Sequence, residues 1–283
     1  MAKQQKSQKA SKSARGRRGR EEFEEVVPTR ERVSRPKSDR LNTRESEFRR
    51  ESRPLVCKND HQKDFLRSII ENQVTVAIGP AGTGKTYVSV KQAAIELDAR
   101  NVERIVVVRP IVEAGGGLGF LPGDEGEKTA PYQVPFLEVL EEHYGKEQLE
   151  GKINCRYPVI TFVPPEFIRG RTFKNAFVIL DEAQNMTCDQ MKTFLTRLGE
   201  DTRCVLQGDI EQVDIVGKSG LEDAMEILAG LPKVGTVEFT EEDIVRSGFC
   251  KDVLLRYRRR KILAEAAAND DARPATARAG KSR

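Results

Sequence analysis

The sequence predicts an α/β fold, an open and mostly parallel sheet with helices on both faces. Short β-branched runs recur along the body of the chain, helix-like stretches separate them, and the chemically versatile residues fall directly after the runs. Runs that are apolar throughout, rather than at alternate positions, mark strands covered on both faces, which is the habit of parallel sheets. Parallel strands in turn need crossover connections, and the intervening helical stretches supply them.

Taken in order, Asn59-Asp60-His61-Gln62 leads an amphipathic stretch carrying Phe65, Leu66, Ile69 and Ile70. Val74 to Ile78 reads as a buried strand, followed by a helix from Lys85 to Leu97 with Val88, Val90, Ala94, Ile95 and Leu97 as its apolar positions. Arg104 to Val108 is the second strand, and a long irregular section follows it. Further strands are expected at Val159 to Val163, Ala176 to Leu180, Arg203 to Leu206 and Thr236 to Phe239. Helices are expected at Asp189 to Leu198, at Gly220 to Leu228 and from Val253 onward.

Composition sets the limits of this body. Of the 283 residues, 38% are apolar and 33% charged, a deficit of core material that points to disordered ends around an ordinary domain. Residues 1–54 hold 17 basic and 9 acidic side chains although the whole chain is only +4, so a basic arm precedes a mildly acidic body. We expect three parts: the disordered arm 1–54, a domain over 55–262 large enough for one well-packed core, and a disordered tail 263–283. The arm reads either as a solvated extension or as a loose clamp on phosphates. No apolar stretch follows the basic start and no run of about 18 apolar residues exists to span a bilayer, so the expected location is the cytoplasm, with no membrane partner. Five scattered cysteines without a CxxC pair indicate neither a disulfide framework nor a zinc site. The two histidines, His61 and His143, are too few and too far apart for a metal centre.

Ligands of open parallel sheets sit beyond the carboxyl ends of the strands. Gly79-Pro80-Ala81-Gly82-Thr83-Gly84-Lys85-Thr86 occupies that place after the first strand and satisfies GxxxxGK followed by Ser or Thr. Glycines let consecutive backbone N–H groups turn toward phosphate oxygens, and the helix that follows adds the partial positive charge of its N-terminus. Lys85 can reach the β and γ phosphates and the Thr86 hydroxyl can ligate magnesium, so the loop is built for ATP with Mg2+. Asp181 and Glu182 end the strand FVIL, where low dielectric makes unpartnered charge costly. Asp181 suits magnesium, directly or through a water, and Glu182 suits orienting and deprotonating an attacking water.

Three further candidates are less self-sufficient. Gln207, Asp209 and Gln212 follow the next strand in a GDxxQ pattern, and Asp209 and Gln212 could sense the γ phosphate through hydrogen bonds. Gln62 offers one donor and one acceptor, enough to read an adenine edge, and is also an ordinary residue at a helix start. Arg246, after the last strand, reads as a finger that stabilises charge on the transferred phosphoryl group, or as a surface ion pair with the acids before it.

Beyond the phosphate loop, the body resembles the PhoH family from about Asn59 to Arg258. The segment VRPIVEAG from Val108 with LGFLPGD from Leu118, then Lys128 and Pro131-Tyr132, carries that resemblance, together with DEAQN from Asp181 and IVRS from Ile244. Gly115-Gly116-Gly117 departs from the more polar spacing of the family. The resemblance implies a RecA-like core related to the first motor domain of superfamily 1 helicases, with ATPase activity and action on RNA. Because one such domain usually completes its site with an arginine from a neighbour, Arg246 would serve the next subunit of a homo-oligomer, for which a closed hexamer is the expected form. The insertion from Arg109 to Tyr132 would face RNA or single-stranded DNA, with Lys128 as charge and Tyr132 as stacking ring, or else pack between subunits. The cluster from Arg256 to Lys261 suits phosphates and suits the end of a helix equally. A helicase-like ATPase leads these expectations. A nucleotide-dependent switch acting through partner proteins is the alternative.

Overall fold

The computed structural model describes residues 54–111, 125–246, 248–253, 255–257 and 259–260. The arm 1–53, the glycine-rich segment within 112–124, the side chain of Lys128, and the residues from 261 onward lie outside the described residues.

Six parallel strands form the sheet: β1 (Val74–Ile78), β2 (Arg104–Val108), β3 (Ile160–Val163), β4 (Ala176–Leu180), β5 (Arg203–Gly208) and β6 (Val234–Glu238), in the order β3-β2-β4-β5-β1-β6. Because β5 lies between β1 and β4, Ile78 pairs with Gly208 and Leu180 with Leu206, and the tips of all three strands end together.

Alternate side chains along these strands feed two separate cores, which is why the strands read as apolar throughout. On one face Ala77, Val107, Ile179 and Val205 meet α1 (Asp60–Glu71), α2 (Lys85–Asp98) and α3 (Glu125–Tyr144) through Phe65, Val88 and Phe136. On the other, Val76, Val178, Leu180 and Leu206 meet α5 (Cys188–Leu195) and α6 (Gly220–Leu228) through Phe194, Met191 and Leu221. Helix α4 (Lys146–Ile153) precedes β3.

The sequence reading missed α3 and α4, which occupy most of the section taken as irregular. Pro131 and Pro135 lie inside α3 and each removes a helical hydrogen-bond donor, which suppresses the local signal. Tertiary packing prevails there: Phe136, Leu140 and Tyr144 recur every fourth residue, are buried, and join the core beneath α2. The other strands and helices start or end within about three residues of their expected limits, the usual ambiguity of fraying ends, except the last helix, which is expected from Val253 and is already helical at residue 248.

Candidate functional site

The loop between β1 and α2 turns on three glycines of positive φ, Gly79 (+134°), Gly82 (+85°) and Gly84 (+87°). At Gly79 a side chain would run into the backbone of Phe239 beyond β6, so the close approach of two chain segments as well as the dihedral demands glycine. Gly84 is the N-cap of α2 and brings no side chain to the helix end, so the first amides of α2 have no side-chain cap.

Lys85 reaches back over this loop. Its ammonium donates to the carbonyls of Gly79 (2.6 Å) and Pro80 (2.9 Å) and lies 5.9 Å from the centre of the Phe239 ring. Burial lowers its pKa, and the more distant acids Asp209, Asp181 and Glu182 only partly oppose that shift.

Gln207 joins the loop to the acids. Its side chain is fully buried, and its amide nitrogen donates to Thr86 Oγ1 (3.1 Å) and to Asp181 Oδ1 (2.7 Å) while its oxygen accepts from the Ser89 hydroxyl (2.9 Å). The Thr86 and Asp181 oxygens therefore converge on one amide. Both are hard donors suited to magnesium, and among the described residues no cluster of three or more His, Cys, Asp or Glu side chains could hold a metal ion alone. The residues fit an ion that arrives with phosphate ligands of its own.

Burial raises the Asp181 carboxyl above its ordinary value. The Arg109 guanidinium opposes this, Glu182 adds to it, and the Gln207 amide again works against it. Glu182 has a left-handed backbone (φ +51°), which turns its side chain away from the strand direction. Its Oε2 accepts from Gln184 Nε2 at 2.7 Å.

A cavity of about 350 Å³ collects Gly82, Lys85, Thr86, Asp181, Glu182 and Arg246. Asp209 and Gln212 line it too, but they are bonded to each other, Gln212 Nε2 donating to Asp209 Oδ2 at 2.7 Å. A second cavity, about 620 Å³, lies on the far side of the loop beside His61, Gly79, Phe239 and Glu241.

Gln62 and Arg246 both lie against the loop. The amide of Gln62 is spent on the backbone, its nitrogen donating to Thr83 O (2.8 Å) and its oxygen accepting from Lys58 N (2.7 Å). These bonds tie α1 to the phosphate loop. Arg246 lies beside Gly82 of its own chain's loop. A Cβ at Gly82 would lie 3.0 Å from Arg246 Nε, and the Val245 N–H donates to Gly82 O at 3.0 Å, which ties the arginine's segment there.

Arg109 and Gln184 are the site residues that sequence reasoning did not assign. Arg109 follows β2 and bridges both acids, its NH1 lying 3.1 Å from Asp181 Oδ2 and its NH2 3.5 Å from Glu182 Oε1. Its place directly after a strand was the available signal. Gln184 is buried and accepts from Asp209 N (3.1 Å) while donating to Glu182, so it couples the tips of β4 and β5. Nothing in its spacing announces that. Of the basic cluster, Arg256, Arg259 and Arg260 are exposed and Tyr257 largely so, whereas Arg258 and Lys261 lie outside the described residues.

Comparison with known proteins gives a consistent picture of kinship. A solved structure of the ATPase domain of a Thermus phage large terminase shares 16% identity over 68% of this chain and 83% of that one, with a TM-score of 0.41, and nothing about this chain's activity follows from it. Protein PhoH of Escherichia coli (strain K12) is 43% identical over 210 residues, covering 74% of this chain and 59% of that protein. The PhoH-like protein of Bacillus subtilis (strain 168) is 39% identical over 205 residues, covering 72% and 64%. The chain thus spans about three fifths of the length of these relatives. Residues 54–258 match the family model described as PhoH-like protein, nearly the whole of the described body, and the chain belongs to that family.

Proposed function

We propose that the chain binds ATP with magnesium at the β1, β4 and β5 tips and hydrolyses it to ADP and phosphate. One observation carries this reading: the GPAGTGKT loop and the Asp181-Glu182 pair, distant in sequence, share a cavity, with Gln207 hydrogen-bonded to both Thr86 and Asp181. The loop amides from Ala81 to Thr86 would hold the phosphates, and Lys85 would exchange its carbonyl acceptors for phosphate oxygens. Thr86 and Asp181 would hold magnesium, which when bound offsets phosphate charge. Glu182, held by Gln184, would take the proton of a water aimed at the terminal phosphorus, and Arg246 would add positive charge from the same chain. Asp209 and Gln212 would respond to the γ phosphate by opening their mutual hydrogen bond.

We further propose that hydrolysis is coupled to remodelling of RNA or single-stranded nucleic acid in a homo-oligomeric ring, a hexamer being the simplest closed form. This rests on the family resemblance. The test is ATP turnover with and without single-stranded RNA and DNA, on protein of determined oligomeric mass. Lys85→Ala should abolish nucleotide binding, and Glu182→Gln should keep binding but lose turnover. Turnover indifferent to every nucleic acid would overturn the motor reading, and loss of neither function in these variants would overturn the site.

A further inference from the structure

All four oxygens of the Asp181 and Glu182 carboxylates have a donor within the chain. Side-chain amides take two of them, Gln207 on Asp181 Oδ1 and Gln184 on Glu182 Oε2. Arg109 takes the other two with one guanidinium, an uneven fork of 3.1 and 3.5 Å. The Asp181 side chain is 9% exposed and that of Arg109 24%, so water screens this contact only partly. Lys85, another cation of the cavity, bonds loop carbonyls instead.

A guanidinium and a divalent ion cannot sit on the same carboxylates without strong repulsion. The second anchor of Arg109 is the Tyr132 ring of α3, whose centre lies 5.9 Å from the guanidinium carbon, so the arginine has a face to rest on when it leaves the acids. Resting on the magnesium-nucleotide reading given above, we propose that Arg109 is a positioning residue that competes with magnesium for Asp181, setting the concentration at which the metal loads. Its contacts with Asp181 and Glu182 have to be broken before a metal ion can take their place, and that is part of the cost of metal binding.

The experiment is a magnesium titration of the full chain at fixed concentration of a fluorescent ADP analogue. Arg109→Ala should lower the half-saturating magnesium concentration about tenfold, the equivalent of one charge-assisted contact that no longer has to be broken. Arg109→Lys, which keeps the charge but not the fork, should fall between wild type and Ala and guards against misfolding of the alanine variant. In an Asp181→Asn background the effect of Arg109→Ala should shrink, because the main contact is already gone. An unchanged or raised midpoint in Arg109→Ala, or an equal shift in both backgrounds, refutes the competition while leaving the site intact. A wild-type chain without magnesium-dependent ADP binding refutes both.

Discussion

Gln207→Leu probes the connection on which the site depends. The residue is fully buried, and leucine, although branched and shorter, is of comparable bulk, so the loss is chiefly polar. Three hydrogen bonds disappear, but they are unequal. Ser89 keeps a second acceptor in Thr86 O at 3.2 Å, and the Thr86 hydroxyl lines the cavity, where water can serve it. The bond to Asp181 at 2.7 Å has no such substitute, because that carboxylate is buried and the amide helps hold its pKa down. A hydrogen bond to a charged group contributes roughly 1.5–3 kcal/mol, so the expected loss of stability is about 2–3 kcal/mol with the lesser terms included. Urea unfolding of nucleotide-free protein measures it, and magnesium-dependent ADP binding should weaken in parallel. A variant within about 0.5 kcal/mol of wild type, the range of ordinary surface substitutions, would show that Asp181 does not depend on this amide.

Gly84→Ala should cost about 1–3 kcal/mol and weaken nucleotide binding, because φ is +87° and the new Cβ would lie 2.6 Å from Gln62 Nε2. Adding Gln62→Ala should relieve the collision but not the dihedral strain, so thermal unfolding should recover only in part. The raised Asp181 pKa means that the folded chain binds this proton more tightly than the unfolded one. Stability of the nucleotide-free protein should therefore fall as pH rises from the ordinary value of 3.8 through the raised one, magnesium affinity should rise over the same window, and Asp181→Asn should flatten both pH profiles. Because Arg246 lies on its own loop, mixing Lys85→Ala chains with Arg246→Ala chains should restore no ATP turnover; recovery would place the arginine in a neighbour's site.

Features carried by a contiguous stretch were legible in the sequence. The phosphate loop is one such stretch, and its crowd of small residues has no use in a core. The paired acids are another, and their place after a buried strand implies that something compensates them. The inner strands were legible because β1, β4 and β5 are buried along nearly their whole length, and the sheet order explains why, since they lie between other strands with both faces covered. What stayed hidden depends on neighbours in space. Arg109 reaches the acids because β2 lies beside β4, with Val108 paired to Leu180, and no spacing along the chain contains that fact. Gln62 has the chemistry to read a base, but its partners are backbone groups 21 residues ahead and four behind. Helix α3 was concealed by two prolines that only its packing on α2 outweighs.

The charge states of the site favour a ligand with two kinds of charge. Lys85 and Asp181 line one cavity, and the nearest economy would be to pair them, which would raise the lysine's pKa and lower the acid's. The reverse holds: burial lowers the first and raises the second, each charge being left costly by the same cause. They are kept apart because Lys85 is bonded to the carbonyls of Gly79 and Pro80 and Asp181 to Gln207 and Arg109. A simple anion would relieve Lys85 alone, and a simple cation Asp181 alone. A magnesium-bound polyphosphate offers oxygens to the lysine and a cation to the aspartate at once, so it relieves both with one binding event. That is the physical reason for reading these strand tips as a nucleotide site rather than as an internal salt bridge that failed to close.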